Sequence, residues 1–356
     1  MCNCVLEHHY PMEYQVETAV VILNWNGKNF LEQFLPKVVA YTCKPNIKVI
    51  IADNNSSDDS VAFLKLHYPE LTLIRNMENG GFAKGYNDAL KQVNARFYVL
   101  LNSDIEVTPD WVEPVVRRMK ADPSVAAAQP KLLSYYQKNR FEYAGAAGGF
   151  IDRLGYPFCR GRIFDTIEPD RGQYEDEKEV FWATGAALFV RADLFWQLGG
   201  LDADFFAHME EIDLCWRLRN AGYKIMYYPC STLYHIGGGT LPKSSPTKTY
   251  LNFRNNLALL YKNLPKNRLC RVFFLRFFLD TAAALLFLCK RQTGDFQAVW
   301  RAYRDFYRQK PRHRAKRAAI SQQPQCTGIY QKSIVVQYYL KKKRYFGDLS
   351  PHHFNR

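Results

Sequence analysis

Four short apolar runs in the first third of the chain constrain its fold more than any other feature. The runs are rich in valine, isoleucine and leucine, and polar residues follow each of them: 18–24, 47–53, 71–76 and 97–102. Runs of this kind are typical of strands that are buried on both faces of a parallel sheet. Helical stretches fit beside them, at 28–40, 58–67 and 82–93. This alternation of strand and helix predicts a doubly wound α/β domain.

The pattern becomes mixed after Asp110. The predicted elements are a helix at 110–121, a strand at 125–133, a weakly patterned Gly-rich stretch at 145–162, a strand at 180–191, a helix at 210–220 and a strand at 224–236. Gly222 is a good C-cap for the last helix, because glycine readily adopts the left-handed conformation in which many helices end. We therefore expect an N-terminal tail at 1–17, an α/β domain at 18–247 and a C-terminal region at 248–356.

The C-terminal region has a helical and basic pattern. Residues 269–289 are apolar and long enough to span a bilayer, but they include Arg271, Arg276 and Asp280. Each charge costs roughly 2.5–3.5 kcal/mol near the centre of a membrane, which disfavours a simple span. Arg276 and Asp280 are four residues apart and can pair on a helix. Basic residues on both flanks favour a helix lying in the interface of an anionic membrane; the alternative is a helical cap that packs on the protein itself.

Charge and cysteine usage narrow the partners and the compartment. The formal net charge of +14 favours phosphate-bearing ligands, but the basic clusters lie mainly in the C-terminal third, and no nucleic-acid-binding motif is present. We therefore expect no nucleic-acid partner. The nine cysteines are scattered, and no second close pair joins Cys2 and Cys4 to complete a zinc site. Reduced thiols, and no apolar signal in residues 1–17, predict a cytoplasmic protein held peripherally at the inner face of the cell membrane.

Polar side chains follow three of the predicted strands. They are Asn24 and Asn26 at the first, Asp53 at the second, and Asn102, Ser103 and Asp104 at the fourth. Ligands of open parallel sheets bind beyond the carboxyl ends of the strands, so these clusters predict a pocket for a base, a ribose and a metal. Asp53 can accept a hydrogen bond from a base or a ribose, or it can form an Asx turn. A carboxylate at Asp104 suits Mg²⁺ or Mn²⁺, or it is another turn residue.

A Gly-rich loop at 78–87 opens the third helix. It lacks the Gly-Lys-Ser/Thr ending of a P-loop and the glycine spacing of a dinucleotide-binding fingerprint. Gly80 and Gly81 would let the backbone approach a ligand, and Lys84 would lie near a phosphate or a base. The loop, including Asn79, is therefore a candidate part of the same ligand site.

Acidic residues mark the start of the helix at 210–220. Glu210, Glu211 and Asp213 either favour the helix macrodipole, by about 0.3–1 kcal/mol each, or supply a general base. Glu211 and Asp213 are two residues apart and cannot share a helix face. One of them can therefore serve the pocket while the other braces the helix.

His235 is a candidate on weaker grounds. It follows the last predicted strand and precedes three glycines, so it is either a metal ligand or a structural histidine.

Seven motifs occur in a fixed order along the chain. They are residues 21–27, 52–60, 78–87, 100–104, 182–186, 199–202 and 205–217. In this order they resemble glycosyltransferase family 2, inverting enzymes with the GT-A fold, a Rossmann-like fold of nucleotide-diphospho-sugar transferases. The resemblance covers 18–235, continues through 250–257 and is greatest for the bacterial rhamnosyltransferase-like branch. It implies a GT-A domain followed by a helical, basic C-terminal extension.

The resemblance also implies roles for single residues. Asp53 would contact uridine or thymidine, Asp104 would bind Mg²⁺ or Mn²⁺ as the end of the DxD motif, and His235 would be an additional metal ligand. Asn102 occupies the first position of that motif, so Asp104 is its metal-binding residue. The whole nucleotide-sugar site would comprise Asn24, Asn26, Asp53, Asn79, Gly81, Lys84, Asn102, Ser103, Asp104, Trp182 and Gly185.

The implied activity is inverting transfer of a sugar, such as rhamnose, from a UDP- or dTDP-sugar. Trp182 would be either an apolar wall for the face of that sugar or a core residue. Changes at 182–185, a segment that ends in Gly185, or in the Gly-rich stretch at 145–162 could switch the donor sugar. The acceptor would be a hydroxyl of a glycan or lipid-linked saccharide in cell-surface polysaccharide assembly. Glu211 matches the base of the family's Glu-Asp motif, where Asp is usual, and Glu210 is the neighbouring candidate. The alternatives are a polyprenyl-phosphate glycosyl synthase, whose phosphate acceptor needs no deprotonation, and a non-catalytic subunit of a polysaccharide-assembly complex.

Overall fold

The computed structural model describes residues 14–237, 245–320 and 327–355. The strands are β1 (Val16–Asn24), β2 (Ile47–Asp53), β3 (Thr72–Arg75), β4 (Ala95–Asn102), β5 (Ile105–Glu106), β6 (Val125–Ser134), β7 (Gly149–Asp152), β8 (Pro157–Cys159), β9 (Arg162–Ile163), β10 (Thr166–Ile167), β11 (Lys178–Val180), β12 (Ala187–Arg191), β13 (Lys224–His235) and β14 (Ile329–Tyr330). The α-helices are α1 (Lys28–Thr42), α2 (Ser60–His67), α3 (Gly81–Leu90), α4 (Glu113–Ala121), α5 (Ala192–Gln197), α6 (Glu210–Asn220), α7 (Pro246–Asn263), α8 (Lys266–Cys289) and α9 (Thr293–Ala318).

The main sheet has the strand order β11-β13-β6-β12-β4-β1-β2-β3, with β5 paired to β13. The neighbours among β1 to β4 pair in parallel, whereas β12 is antiparallel to both β4 and β6. Successive residues of β1 face two different apolar clusters, Ala19 and Val21 one and Val20 and Ile22 the other. This alternation confirms strands buried on both faces and explains why their sequences are continuously apolar.

One predicted element is wrong in extent. The sequence predicts a single strand at 180–191, but the structure has β11 and β12 with an irregular segment between them. That segment leaves the sheet because the Thr184 N–H donates to Gln129 Oε1 at 3.0 Å, and its hydroxyl donates to the Ala144 carbonyl at 2.8 Å. An apolar composition alone cannot show that side chains and neighbouring loops satisfy these backbone groups.

A second, smaller sheet was not predicted from the sequence. Its order is β10-β9-β8-β7-β14, and most of it comes from the weakly patterned stretch. β14 comes from the C-terminal region and pairs in parallel with β7. Phe346 and Phe354 pack their rings on Phe150 of β7, at centroid distances of 5.0 and 5.3 Å. The C-terminal region therefore contributes a strand and two packed rings to the smaller sheet, although the boundary at 247/248 stays a prediction.

The helical C-terminal region is present as α7, α8 and α9, and its predicted ion pair is confirmed. Arg276 and Asp280 approach within 3.2 Å, and both side chains are buried. The hydroxyls of Tyr156 and Tyr303 each donate to Asp280 at 2.8 Å, and Arg276 donates to the Leu154 carbonyl. These charges therefore face the protein. Removing either member of the pair would leave the other as a buried charge without its partner, at a cost of about 3–5 kcal/mol of folding stability.

The opposite face of α8 is apolar and exposed. In the described ranges α8 is the one helix long and apolar enough to cross a membrane, judged by length and composition. Its exposed large side chains form what we call the outer face: Phe274, Phe277, Phe278, Leu285, Leu286 and Leu288. The six cysteines of the described ranges are all free thiols, and Cys2, Cys4 and Cys326 lie outside those ranges.

Candidate active site

The polar strand ends meet at one edge of the main sheet, as the sequence predicts. Asn24 is the register partner of Asp53, and Leu23 is the partner of Asn102. Ser103 and Asp104 follow at once, before β5. Parallel pairing thus brings residues that are about 30 and 50 positions apart to the same edge.

Asn24 and Asp53 form the deepest part of this edge, and both are fully buried. Asn24 Nδ2 donates to Asp53 Oδ1 at 3.4 Å and to Ser56 Oγ at 3.2 Å. Asp53 Oδ2 accepts from the Ser56 N–H at 3.1 Å, so the turn alternative for Asp53 is realised in this conformation. Asn24 Oδ1 is buried and has no hydrogen-bond donor within the described ranges. A buried acceptor of this kind suits a ring N–H of a pyrimidine base.

Asn26 organises the loop that follows β2. Its backbone has a left-handed φ of 50°, and its Oδ1 accepts from the backbone N–H groups of Ser57 and Asp58 at 2.7 and 3.3 Å. The Asn26 N–H donates to Ser56 Oγ at 2.9 Å. Asn26 therefore connects the ends of β1 and β2, and its predicted contact with the nucleotide sugar stays a prediction.

Asp104 and His235 lie side by side, although 131 residues separate them in the sequence. His235 Nε2 is 3.1 Å from Asp104 Oδ1, and His235 Nδ1 is 3.3 Å from Glu142 Oε1. Glu142 Oε2 accepts from the Ala144 N–H, and all three ionisable side chains are buried. Sequence reasoning missed Glu142, because it lies in no periodic element and only the fold brings it to the histidine. Gly237 follows His235 in the structure, and Gly238 and Gly239 lie outside the described residues.

The charges of this cluster stabilise one another. Burial alone would lower the pKa of His235, but Glu142 and Asp104 outweigh it and raise that pKa to about 10. Burial would raise the pKa of Asp104, but the neighbouring His235 brings it below its ordinary value. A carboxylate oxygen suits Mn²⁺ or Mg²⁺, and His235 could join it as a ligand only when a bound cation displaces the proton between Nε2 and Asp104. A carboxylate behind the ring then fixes such a histidine. In the part of the chain that the structure describes, no group of three ligand-type side chains is arranged to hold a metal by itself.

Hydrogen bonds from Asn54 and to the Phe206 carbonyl hold the Gly-rich loop in place. Asn54 Nδ2 donates to Asn79 Oδ1 at 2.9 Å and to the Gly81 carbonyl at 3.1 Å. Gly81 has a left-handed φ of 74°, and a Cβ there would clash with the carbonyl oxygen of Phe206. That carbonyl accepts from the N–H of Phe82 at 2.7 Å, so the protein itself caps this helix start in the present conformation.

Lys84 lies at the surface of the same loop. Its ammonium pairs with Asp88 at 2.5 Å and with Glu78 at 3.2 Å, and these hydrogen bonds raise the pKa of Lys84. The lysine remains charged and about two-fifths exposed. It can exchange these surface partners for a phosphate at low cost, because exposed ion pairs contribute little.

The acid-rich start of α6 divides into three environments. Asp213 is fully buried and bonded to Arg217 and Lys262, each at 2.8 Å, so it braces the helix. Glu210 is also buried, and burial together with the charge of Glu211 raises its pKa well above the ordinary value. Glu211 is only partly buried and lies against Gly185, where a Cβ would be 3.7 Å from the Glu211 Cβ. Lys262 was not anticipated, since it lies 49 positions further along the chain.

Glu211 is the acid of this group that is both accessible and suited to proton transfer near neutral pH. Burial raises its pKa to about 7, although backbone N–H groups of its own helix start and of Gly185 oppose the shift. Its Oε2 is buried and has no hydrogen-bond partner in the described residues. A carboxylate with a pKa near 7 and a free oxygen can remove a proton from a hydroxyl.

Trp182 and Gly185 occupy the segment between β11 and β12. The ring of Trp182 is 4% exposed, packs on Gly149 and donates its N–H to the Phe150 carbonyl at 2.9 Å. This geometry favours the core-packing alternative for Trp182. Gly185 instead lies between Phe82 of the Gly-rich loop and Glu211, where a Cβ would be 3.1 Å from the Phe82 ring. Gly185 therefore keeps the space beside Glu211 open.

Comparison with known sequences agrees with the order of motifs. The family Glycosyl transferase family 2 matches residues 19–199 of the chain. N-acetylglucosaminyl-diphospho-decaprenol L-rhamnosyltransferase of Mycobacterium tuberculosis is 26% identical over 231 residues, which cover 61% of this chain and 75% of that protein. The O-antigen biosynthesis protein RfbC of Myxococcus xanthus is 24% identical over 229 residues, 64% of this chain but only 18% of the relative.

Solved structures share the fold at low sequence identity. GalNAc-T7, determined with UDP, GalNAc and Mn²⁺, superimposes with a TM-score of 0.54 at 16% identity, over 72% of this chain and 49% of that one. The mannosyltransferase PcManGT from Pyrobaculum calidifontis, in complex with GDP-Man and Mn²⁺, gives a TM-score of 0.50 at 14% identity, over 82% and 77% of the two chains. The fold is therefore GT-A, as the resemblance implies. The family match, the order of the motifs and the fold agree: this chain belongs to glycosyltransferase family 2, and it is a hexosyl-type glycosyltransferase.

Proposed function

We propose that the protein transfers a sugar, such as rhamnose, from a UDP- or dTDP-sugar to a hydroxyl of a lipid-linked saccharide, with inversion. The observation that carries the proposal is the position of Glu211. It is the one acid at the start of α6 that is partly exposed, and it lies against Gly185 and the Gly-rich loop. A base in this position serves a hydroxyl acceptor, because the hydroxyl must lose its proton as the new bond forms.

The strand ends are proposed to bind the donor. Asn24 offers a buried acceptor for the base, while Lys84 can approach a phosphate. Asp104 and His235 would hold Mg²⁺ or Mn²⁺, with Glu142 orienting the histidine ring. A divalent cation there would offset the charge that develops on the departing diphosphate. Two protein ligands suffice for such a role, because Mg²⁺ in particular usually takes its other ligands from substrate phosphates and water.

The acceptor is proposed to be lipid-linked. The relative from Mycobacterium tuberculosis is named for a decaprenyl-diphosphate-linked acceptor, and its alignment includes three-quarters of that protein. The outer face of α8 gives this chain a surface that favours the membrane in which such an acceptor resides. We place the enzyme at the inner face of the cell membrane, in the cytoplasm, in cell-surface polysaccharide assembly.

A donor screen tests the proposed function. Purified protein is mixed with UDP-, dTDP- and GDP-sugars, each with Mn²⁺ or Mg²⁺, and thermal unfolding is followed. We expect one nucleotide base to raise the melting temperature, because a ligand at about 100 times its Kd stabilises the folded state by about 2.7 kcal/mol. The stabilising donor is then incubated with a polyprenyl-diphosphate-linked saccharide. Transfer with inversion supports the proposal, and transfer only to polyprenyl phosphate would contradict it.

The membrane proposal depends on two features of α8. Its charged pair Arg276–Asp280 faces the protein, so the outer face carries no acid among the residues that form it. Lys266, Arg271, Lys290 and Arg291 are exposed around it. An apolar face with a basic border binds anionic lipid through both burial and charge.

We expect the double substitution Phe274→Glu and Phe278→Glu to release the protein from anionic vesicles. Burying one phenylalanine contributes roughly 1.5–3 kcal/mol, so losing two should lower partition by about 100-fold or more. Co-sedimentation with phosphatidylglycerol–phosphatidylcholine vesicles measures this. The control is Leu66→Glu with Tyr136→Glu, since these side chains are more exposed than Phe274 and Phe278, at 76% and 74% against 64% and 56%, but lie elsewhere. An equal loss of vesicle binding in the two double variants would contradict a specific role for α8.

A further inference from the structure

The segment that leads into the acid-rich start of α6 has a strained backbone. We call residues 205–209 the entry loop, because they connect a short 3₁₀ turn at Ala203–Phe205 to α6. Phe206, His208 and Met209 have left-handed φ values of 63°, 71° and 75°. Residues with a side chain rarely adopt this region, so contacts from outside the loop must hold it.

Asn255 of α7 supplies those contacts. Its Nδ2 lies 2.9, 2.8 and 2.7 Å from the carbonyl oxygens of Phe205, Ala207 and His208, and the side chain is fully buried. Its Oδ1 accepts from Arg254 Nε at 2.9 Å and Nη2 at 2.7 Å. The orientation of the amide is thereby fixed, because the opposite orientation would point its oxygen at three carbonyls.

The entry loop also contacts the Gly-rich loop on its other side. The carbonyl of Phe206 accepts from the N–H groups of Phe82 and Ala83, at 2.7 and 3.3 Å, in the first turn of α3. Arg254 Nη2 adds a hydrogen bond to the Asp204 carbonyl at 3.0 Å. One short segment therefore joins the start of α3, the start of α6 and α7.

The same face of α7 holds α6 at a second point. Lys262, seven residues after Asn255, donates to Asp213 Oδ2 at 2.8 Å, and Asn263 donates to Asp213 Oδ1 at 2.9 Å. Residues seven apart lie on one side of a helix. Glu211 lies between the entry loop and Asp213, so α7 holds the backbone before it and the Asp213 side chain after it.

We propose that Asn255 is a positioning residue for sugar transfer: by fixing the entry loop through three carbonyl groups, it places the Glu211 carboxyl beside Gly185. The proposal rests on the proposed function, in which Glu211 is the base. Asn255 does not touch substrate in this scheme. It acts through the backbone that carries Glu211, and displacing a reacting group by about 1 Å can lower a rate by about 100-fold.

The test is Asn255→Asp, which keeps the shape but turns an oxygen toward the three carbonyls. We expect kcat to fall by about 30- to 100-fold, while the KM for the donor changes by less than about threefold. The acid limb of the pH profile should move to lower pH, because a loosened loop admits water to Glu211. Hydrogen exchange in the peptide that covers 205–212 should become faster.

Asn256→Ala is the matched control. This neighbouring amide is also buried, but it donates to the Gly155 carbonyl at 2.8 Å, accepts from Arg276 Nη1, and approaches the entry loop at Met209 Sδ, at 4.0 Å. We expect it to lower the melting temperature without moving the pH profile. Equal kinetic effects of the two variants, or Asn255→Asp with unaltered kcat and pH profile, would overturn the proposal.

Two further measurements keep the outcomes distinct. If Asn255→Asp does not fold, Asn255→Ser takes its place with the same readouts, since serine keeps a single, shorter donor. Glu211→Gln is assayed in parallel. Full activity in Glu211→Gln would refute the proposed base, whereas an inactive Glu211→Gln beside an unaffected Asn255→Asp would refute only the positioning role.

Discussion

Replacing Glu211 with glutamine is expected to lower kcat by about 10²- to 10⁴-fold, the usual contribution of a general base. The change keeps the size of the side chain and its contact with Gly185, and it removes only the ability to accept a proton. Nucleotide binding should change by less than about threefold, because the strand ends that are proposed to hold the donor lie on other elements. Single-turnover transfer, with thermal shift by the bare nucleotide and Mn²⁺, measures both quantities.

Glu210→Gln is the matched control for Glu211→Gln. Glu210 is the neighbouring acid, but it is 4% exposed, and burial together with the charge of Glu211 raises its pKa well above the ordinary value, which favours the protonated form. We therefore expect Glu210→Gln to retain most of the activity. A loss in Glu210→Gln with activity kept in Glu211→Gln would assign the base to Glu210. Activity kept in both variants would point to a phosphate acceptor, as in a polyprenyl-phosphate glycosyl synthase.

The pH dependence of activity and of stability is a second test of Glu211 as the base. Burial raises its pKa to about 7, and a base acts only when it is deprotonated, so kcat/KM should rise with pH through about 7. The stability of the folded state depends on pH in the opposite direction. The folded pKa lies above the ordinary value of 4.5, so the folded state binds the proton more tightly and is destabilised as pH rises from 4.5 to 7. Glu211→Gln should therefore be at least as stable as the native chain at pH 8, and it should lack the acid limb.

The elements that were predicted well are those whose side-chain pattern reports burial directly. β2 and α6 have the predicted bounds, because a continuous apolar run and a capped helix can both be recognised from a few neighbouring residues. The convergence of Asn24, Asp53 and Asn102 follows from parallel pairing alone. The Arg276–Asp280 pair follows from helical spacing.

What escaped prediction depends on contacts between distant parts of the chain. Glu142 reaches His235 only because the chain after β6 folds back onto the end of β6, which pairs with β13, and nothing in its neighbours marks it. Asn255 lies in a segment that resembles the family, yet its three carbonyl partners are 47 to 50 positions away. The second sheet was missed because its strands are two to four residues long and too short for a periodic pattern.

Asp104→Ala is expected to abolish the dependence of activity on Mn²⁺ or Mg²⁺ and to lower kcat by about 10³-fold. Stabilisation of a developing diphosphate charge is worth several kcal/mol, and each 1.36 kcal/mol is a factor of ten in rate. Asp104 is the carboxylate nearest to His235 Nε2, so its loss leaves the proposed cation a single protein ligand. Titration of Mn²⁺ in the presence of UDP, followed by calorimetry, measures the loss of cation binding apart from turnover.

Glu142→Gln should also weaken Mn²⁺ binding, but by less than Asp104→Ala does. Glu142 lies beside His235 Nδ1, the ring nitrogen that faces away from Asp104, and carboxylates that orient a metal-binding histidine contribute about 10- to 100-fold to metal affinity. Glu106→Gln is the control, because Glu106 lies two residues after Asp104 and is also buried, but it pairs with Lys37 and Lys138 instead of His235. It should lower stability and leave Mn²⁺ binding unchanged. The order Asp104→Ala, Glu142→Gln, Glu106→Gln in loss of Mn²⁺ affinity is what the geometry requires, and equal Mn²⁺ affinity in the Asp104 and Glu106 variants would contradict a cation at this edge.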